Sequence, residues 1–218
     1  SLEPRSKAER GYQLAGIVAP GPVRARSPRL SGAGAARVAW QALFVSALGQ
    51  FSANLPGVVA GMDPEFLHQM RIAIRRMRTL LALGRELGMP RPAWENDLRW
   101  LMGELSPARD WDVFVGETLP RVQSGLGAPA AALDALAEAA GAHRQAAHAR
   151  VVASLGTPRC VTLVLAMEQA PEWSGPDPGW HVQAWAAQAL ARRLKRMRRL
   201  GREDRKSTRL NSSHRLLS

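Results

Sequence analysis

One segment of this chain carries most of its chemical potential. It reads His68-Gln69-Met70-Arg71-Ile72-Ala73-Ile74-Arg75-Arg76-Met77-Arg78. At about 100° per residue, with His68 at zero, Arg71 falls near 300°, Arg75 near 340° and Arg78 near 280°. These four side chains form one stripe with a rise of about 15 Å from His68 to Arg78. Arg76, at about 80°, flanks the other side. Leu67, Met70, Ala73, Ile74, Met77, Leu80 and Leu81 occupy the opposite, core-facing sector. Like charges stacked at i, i+4 and i+7 repel in an isolated helix. No acid lies between Glu65 and Glu86 to relieve that repulsion within the helix. The relief must come from neighbouring carboxylates or from a bound polyanion. Arginine suits the second role, because its planar fork pairs phosphate oxygens two at a time. His68 would add a hydrogen-bond donor that becomes more cationic at lower pH.

A second basic stripe comes from Arg192, Lys195, Arg196 and Arg199, with Leu190, Leu194, Met197 and Leu200 expected to form its core face. Two such stripes facing each other would focus a positive potential on a flexible polyanion. The whole chain has the matching bias: 218 residues, 30 Lys plus Arg against 18 Asp plus Glu, and a net charge of +12. Hydrophobic residues make up 46%, too many for a disordered basic tail. The lone Cys160 excludes a disulfide framework and a Cys-based zinc site, and points to a reducing compartment, the cytoplasm. Cys160 itself reads as a small buried hydrophobe. No run of about 18 apolar residues stands out, so no membrane insertion is expected.

The elements that must position these residues read as helices. Asp63-Pro64, Ser106-Pro107, Thr157-Pro158 and Asp177-Pro178 each pair a capping side chain with a proline suited to the first helical position. Gly88, Gly127, Gly156 and Gly201 sit at helix ends. The pattern predicts helices near 35–60, 64–87, 92–105, 107–122, 129–155, 158–170 and 178–201. Alternation of the strand kind is scarce. The fold class is therefore all-α, an antiparallel helical bundle with short loops. The Ala-rich 129–155 helix has high intrinsic propensity and room for close packing.

Other reactive types have plainer readings. His143 and His148 are five apart, about 140° round a helix, and no carboxylate joins them, so no metal site is expected. Asp110 and Asp112 point to different faces and are not a catalytic pair. They fit a helix start after Ser106-Pro107, with pairing to Arg99 or Arg109. Trp40, Trp94, Trp100, Trp111, Trp173, Trp180 and Trp185 lie outside both basic stripes, so packing accounts for them better than base stacking. No specific nucleic-acid motif and no nucleophile–base pair is evident, which leaves a binding module with no catalytic residues and no cofactor. Nucleic acid or another polyanion remains the alternative ligand class.

The 68–81 segment, with Leu98-Arg99-Trp100-Leu101 and Ala108-Arg109-Asp110-Trp111-Asp112-Val113-Phe114, closely resembles the CHAD family, the conserved-histidine α-helical domain. The resemblance spans roughly residues 37–201. It implies two pseudo-symmetric helical bundles around a basic groove that binds inorganic polyphosphate without turning it over. By motif, His68, Arg71, Arg75, Arg76 and Arg78 match the first basic signature, and Arg99 and Arg109 match further groove positions. A second signature, His-x-Leu-Arg followed by Lys-Lys-Leu-Arg, is expected soon after residue 201 and is absent. The 37–203 domain thus reads as one whose second repeat is incomplete. Residues 204–218 resemble the in-frame translation of a sequencing adapter and read as a non-native tail, with a genuine polar tail as the alternative. Residues 6–14 are similar to the closing segment of CYTH domains, the triphosphate tunnel family, which often precede CHAD in one bacterial chain. Residues 1–14 then read as the end of a covalently linked CYTH domain, and the Gly- and Pro-rich 15–36 segment as a linker. On that reading the present chain is an accessory module of a triphosphatase.

Overall fold

The structure, a computed structural model, describes residues 21–125, 130–172 and 179–214. The CYTH-like head at 1–14, the Asp177-Pro178 cap, Gly127, Trp173 and residues 215–218 lie outside the described residues. The described elements are α1 (Ala36–Val59), α2 (Pro64–Gly84), α3 (Glu95–Val113), α4 (Leu119–Gly125), α5 (Ala130–Leu155), α6 (Pro158–Gln169) and α7 (Val182–His214). A 3₁₀ turn, Arg85–Leu87, follows α2, and a π turn, Phe114–Thr118, joins α3 to α4. The fold is all-α; the one β feature among the described residues is an isolated bridge, Ala35 to His181, tying the starts of α1 and α7.

Two of the four expected caps form. The Asp63 side chain accepts from Glu65 N at 2.7 Å, and Thr157 Oγ1 accepts from Cys160 N at 3.2 Å, each with Pro at the next position. Gly88, at φ 78°, ends the 3₁₀ turn after α2 in the left-handed conformation that glycine tolerates best.

The Ser106-Pro107 cap does not form. Residues 95–113 are one continuous helix with Pro107 inside it. Leu98, Leu101, Leu105, Ala108 and Asp112 are all buried along one face, and packing that face outweighs the local stop signal. The hydrogen bond that Pro107 cannot make would end on the carbonyl of Gly103. Both residues are exposed, so water can serve that carbonyl. Ser106 Oγ instead donates back to Met102 O at 2.7 Å. Asp110 and Asp112 consequently sit in the last turn of α3, not near a helix start.

The core lies between α1, α2, α3 and α5. All seven apolar positions predicted on α2 are buried, and they meet Trp40, Phe44, Phe51, Leu98, Leu101 and Leu105. Four residues join α1 to α2, so the two run antiparallel. They approach closely at Gly57, where a Cβ would overlap atoms of the Phe66 ring. By length and composition α1 could cross a bilayer, but half of its apolar window is buried within the bundle, as suits a central core helix. Cys160 is buried, and burial pushes its thiol above the ordinary range.

Residues 21–30 have no regular structure, yet they are fastened to α1. Val23 and the Asn54 side chain exchange two hydrogen bonds of 2.9 Å, and Ser46 Oγ donates to Arg26 O at 2.6 Å. This part of the predicted linker is docked rather than free.

α7 departs most from expectation. Gly201 does not end it; the helix continues to His214, and Gly201 shows no positive φ. Its docking face is Trp185 and Ala189, both buried. The expected core residues Leu190, Leu194, Met197 and Leu200 are between 47% and 68% exposed. From residue 190 to 201 every residue is exposed.

Candidate anion-binding site

α2 turns its apolar sector to the core and thereby holds its basic stripe outward, along the seam with α3. Arg71 is half-buried there, and its Nη1 donates to the carbonyl of Leu105 at 3.3 Å. Burial pulls its guanidinium below the ordinary value, Asp110 opposes that effect, and Arg109 and Arg75 reinforce it. Arg75, Arg109 and Asp110 therefore lie near enough to Arg71 to act on its charge. Arg75 and Arg78 are exposed, and His68 and Arg109 are half-buried. No described carboxylate forms an ion pair with Arg71, Arg75, Arg78 or Arg109.

Several other cations of the bundle are committed to carboxylates. Glu95 is buried, and Arg91, Arg99 and Arg85 converge on its carboxylate at 2.8, 2.8 and 3.2 Å. Burial alone would raise this carboxyl, but Arg91, Arg99 and Arg85 hold it below the ordinary range. Arg99 also donates to Asn96 Oδ1. Arg159 pairs with Asp97 at 2.6 Å and lies over the Trp100 ring. Arg144 and His148, on α5, both reach the buried Asp112 carboxylate, at 2.7 and 2.8 Å. Asp112 thus locks α3 to α5 and does not pair with Arg99 or Arg109.

The sequence-predicted site residues therefore divide. Arg71 lies in the α2–α3 seam with Arg75 and Arg109 near it, and His68 and Arg78 lie on the same helical stripe of α2. Arg76 turns to the other side, where it donates to Gln50 Oε1 at 2.7 Å and to the Arg26 carbonyl at 3.3 Å, so it fastens α1 and the preceding segment. Arg99 belongs to the Glu95 cluster. Arg192 meets Glu86 at 3.4 Å, at the far end of α2. Lys195, Arg196 and Arg199 are exposed on the later part of α7.

The comparisons with known proteins bear on this arrangement. A family model described as the CHAD domain matches residues 42–217. The chain belongs to the CHAD domain family. A crystal structure of the CHAD domain from the plant Ricinus communis is 31% identical, with a TM-score of 0.66. The match covers 79% of this chain and 57% of the plant chain. No curated protein matches.

In this CHAD domain the seam also holds one stripe member that the periodicity could have supplied. Arg85 lies at about 260° on the α2 wheel, seven residues beyond Arg78 and fourteen beyond Arg71. Its commitment to Glu95 has no sequence signal, since it depends on where α3 begins. Asp110 is the other addition. Its relation to Arg71 follows from α3 running past Pro107, which local signals argued against.

Proposed function

We propose that this CHAD domain binds inorganic polyphosphate along the α2–α3 seam as a binding module, with no chemistry performed on the ligand. One observation supports the reading above the rest. Arg71, Arg75, Arg78 and Arg109 meet no carboxylate among the described residues, while Arg85, Arg91, Arg99, Arg144, Arg159 and Arg192 each meet one. A partly desolvated cation cluster is costly alone and favourable once a phosphate chain lies across it. The repeating charge of polyphosphate suits a stripe about 15 Å long. Arg71 is the anchor, fixed by the Leu105 carbonyl and pre-oriented at low entropic cost.

Titration calorimetry with long-chain polyphosphate tests this. With the four arginines engaged, log K should fall with log salt at a slope of about −3. Replacing His68, Arg71 and Arg75 together by alanine should abolish binding; unchanged binding in that variant refutes the reading. Competition against duplex DNA separates the alternative, because polyphosphate should displace DNA far more readily than the reverse.

A further inference from the structure

Next to the cation cluster, α3, the π turn and α5 enclose an open pocket of about 460 Å³. Its walls are Trp111, Phe114, Leu136, Ala140 and His143, and Asp110 stands at its polar edge. The volume lies within the range of small-ligand sites, and the lining is mainly apolar and aromatic. The aromatic surface is already ordered. Trp111 and His143 stack with centroids 5.0 Å apart and planes 8° apart. Phe114, first residue of the π turn, meets Trp111 edge-on at 5.6 Å. Flat rings held in place this way favour a further ring by stacking and lose little entropy on binding it.

The pocket and the cation cluster share a boundary. Asp110 lines the pocket and also lies near enough to Arg71 to act on its charge, and Arg71 is set in the α2–α3 seam by the Leu105 carbonyl. Arg109, its neighbour in sequence, belongs to the cluster. From Arg109 to Phe114 the helical rise is about 7.5 Å, a gap that a ribose and one phosphate can span. A ligand that uses both regions needs a planar ring with N–H donors for Asp110, joined to a short phosphate chain.

We infer that the Asp110–Trp111–Phe114–His143 pocket is a nucleobase site, so that the domain takes a purine nucleoside triphosphate with its ring in the pocket and its phosphates on Arg71, Arg75 and Arg109. The carboxylate of Asp110 accepts from the ring's N–H groups, for which guanine offers adjacent donors. Ala139 and Leu136, from α5, set the width available to the ring. The inference rests on the phosphate-binding reading of the seam, because the triphosphate arm uses those arginines.

Calorimetry of the full chain with GTP and with inorganic tripolyphosphate separates the two. GTP should bind at least 5-fold more tightly than tripolyphosphate, the increment expected of one stacked base. Two substitutions at exposed α5 positions test the pocket without touching the arginines: Ala139→Trp, which fills it, and His143→Ala, which removes a wall. Each should reduce GTP to the tripolyphosphate level and leave tripolyphosphate unchanged, with helical circular dichroism preserved. GTP binding no tighter than tripolyphosphate overturns the inference while the phosphate reading stands. GTP affinity indifferent to both substitutions overturns it as well. If neither ligand binds while long-chain polyphosphate does, the nucleotide inference falls and the phosphate reading stands; if long-chain polyphosphate fails as well, both fall.

Discussion

Arg99 and Arg109 stand ten residues apart on α3, about 80° round the helix, and Arg99 Nη2 lies 2.8 Å from a Glu95 oxygen while Arg109 meets no described carboxylate. The two arginines therefore respond differently to removal. Arg109→Gln should weaken polyphosphate binding about 3- to 10-fold and flatten the salt slope by about one, as loss of a phosphate contact does. Arg99→Gln should change binding less than about 2-fold, because exposed pairs contribute little beyond their own site. Its signature belongs in the unfolding curve. Calorimetry at two salt concentrations checks the first, and urea denaturation the second.

Glu95 makes a prediction about acid. Its folded carboxyl is held below the ordinary value of 4.5 by Arg91, Arg99 and Arg85, despite the opposing effect of burial. A depressed folded pKa means that the charged form is favoured by folding. That stabilisation is complete above the unfolded pKa and is lost as pH falls through the folded one. Stability should therefore decline below about pH 4.5 in the native chain, and Glu95→Gln should remove part of that decline. At neutral pH the same substitution should cost about 1.5–3 kcal/mol, the range for hydrogen bonds to a charged group. Urea midpoints from pH 3 to 7 for both chains give the comparison.

Gly57 and Phe66 define the tightest approach of α1 to α2. A Cβ at residue 57 meets the Phe66 ring from Cγ to Cε1, not the end of a flexible chain. Gly57→Ala would gain helix propensity, but the overlap outweighs it. The expected loss is about 1–3 kcal/mol, the cost of overpacking a core. Thermal unfolding should show it, and Phe66→Leu in the same chain should recover part of it by vacating the ring's space.

The legible part of this fold was what repeats along one helix. The α2 core stripe and its basic counterpart follow from 3.6-residue periodicity, and the structure buries all seven predicted apolar positions. Asp63 and Thr157 were legible because a cap is local. Illegible features depend on a second helix. Arg76 and Arg71 are the same residue type five positions apart, but only the placement of Gln50 and Ser46 on α1 turns Arg76 into a fastener. Ser106-Pro107 carried a correct local preference that lost to a buried face running from Leu98 to Asp112. Asp112 itself gave no sign of its partners, since Arg144 and His148 lie 32 and 36 residues away.

α7 supplies the last contrast. Its periodicity nominated Leu190, Leu194, Met197 and Leu200 as core, but the bundle grips it through Trp185 and Ala189. The Trp185 indole Nε1 donates to the Leu83 carbonyl at 3.4 Å, Arg192 meets Glu86, and the Val182 and Gln183 backbone N–H groups donate to the Gly34 and Gly32 carbonyls, so the described attachments lie in the first part of α7. Met197→Gln should then shift stability by no more than about 0.5 kcal/mol, as for an exposed surface position. Trp185→Ala should cost about 3–5 kcal/mol, the range for emptying a buried aromatic site. A chain in which both substitutions cost alike would mean that the apolar face of α7 is covered in solution. Urea denaturation of the two variants, with the chain concentration varied tenfold, measures that directly, because a cover supplied by a second copy would make the Met197 effect depend on concentration.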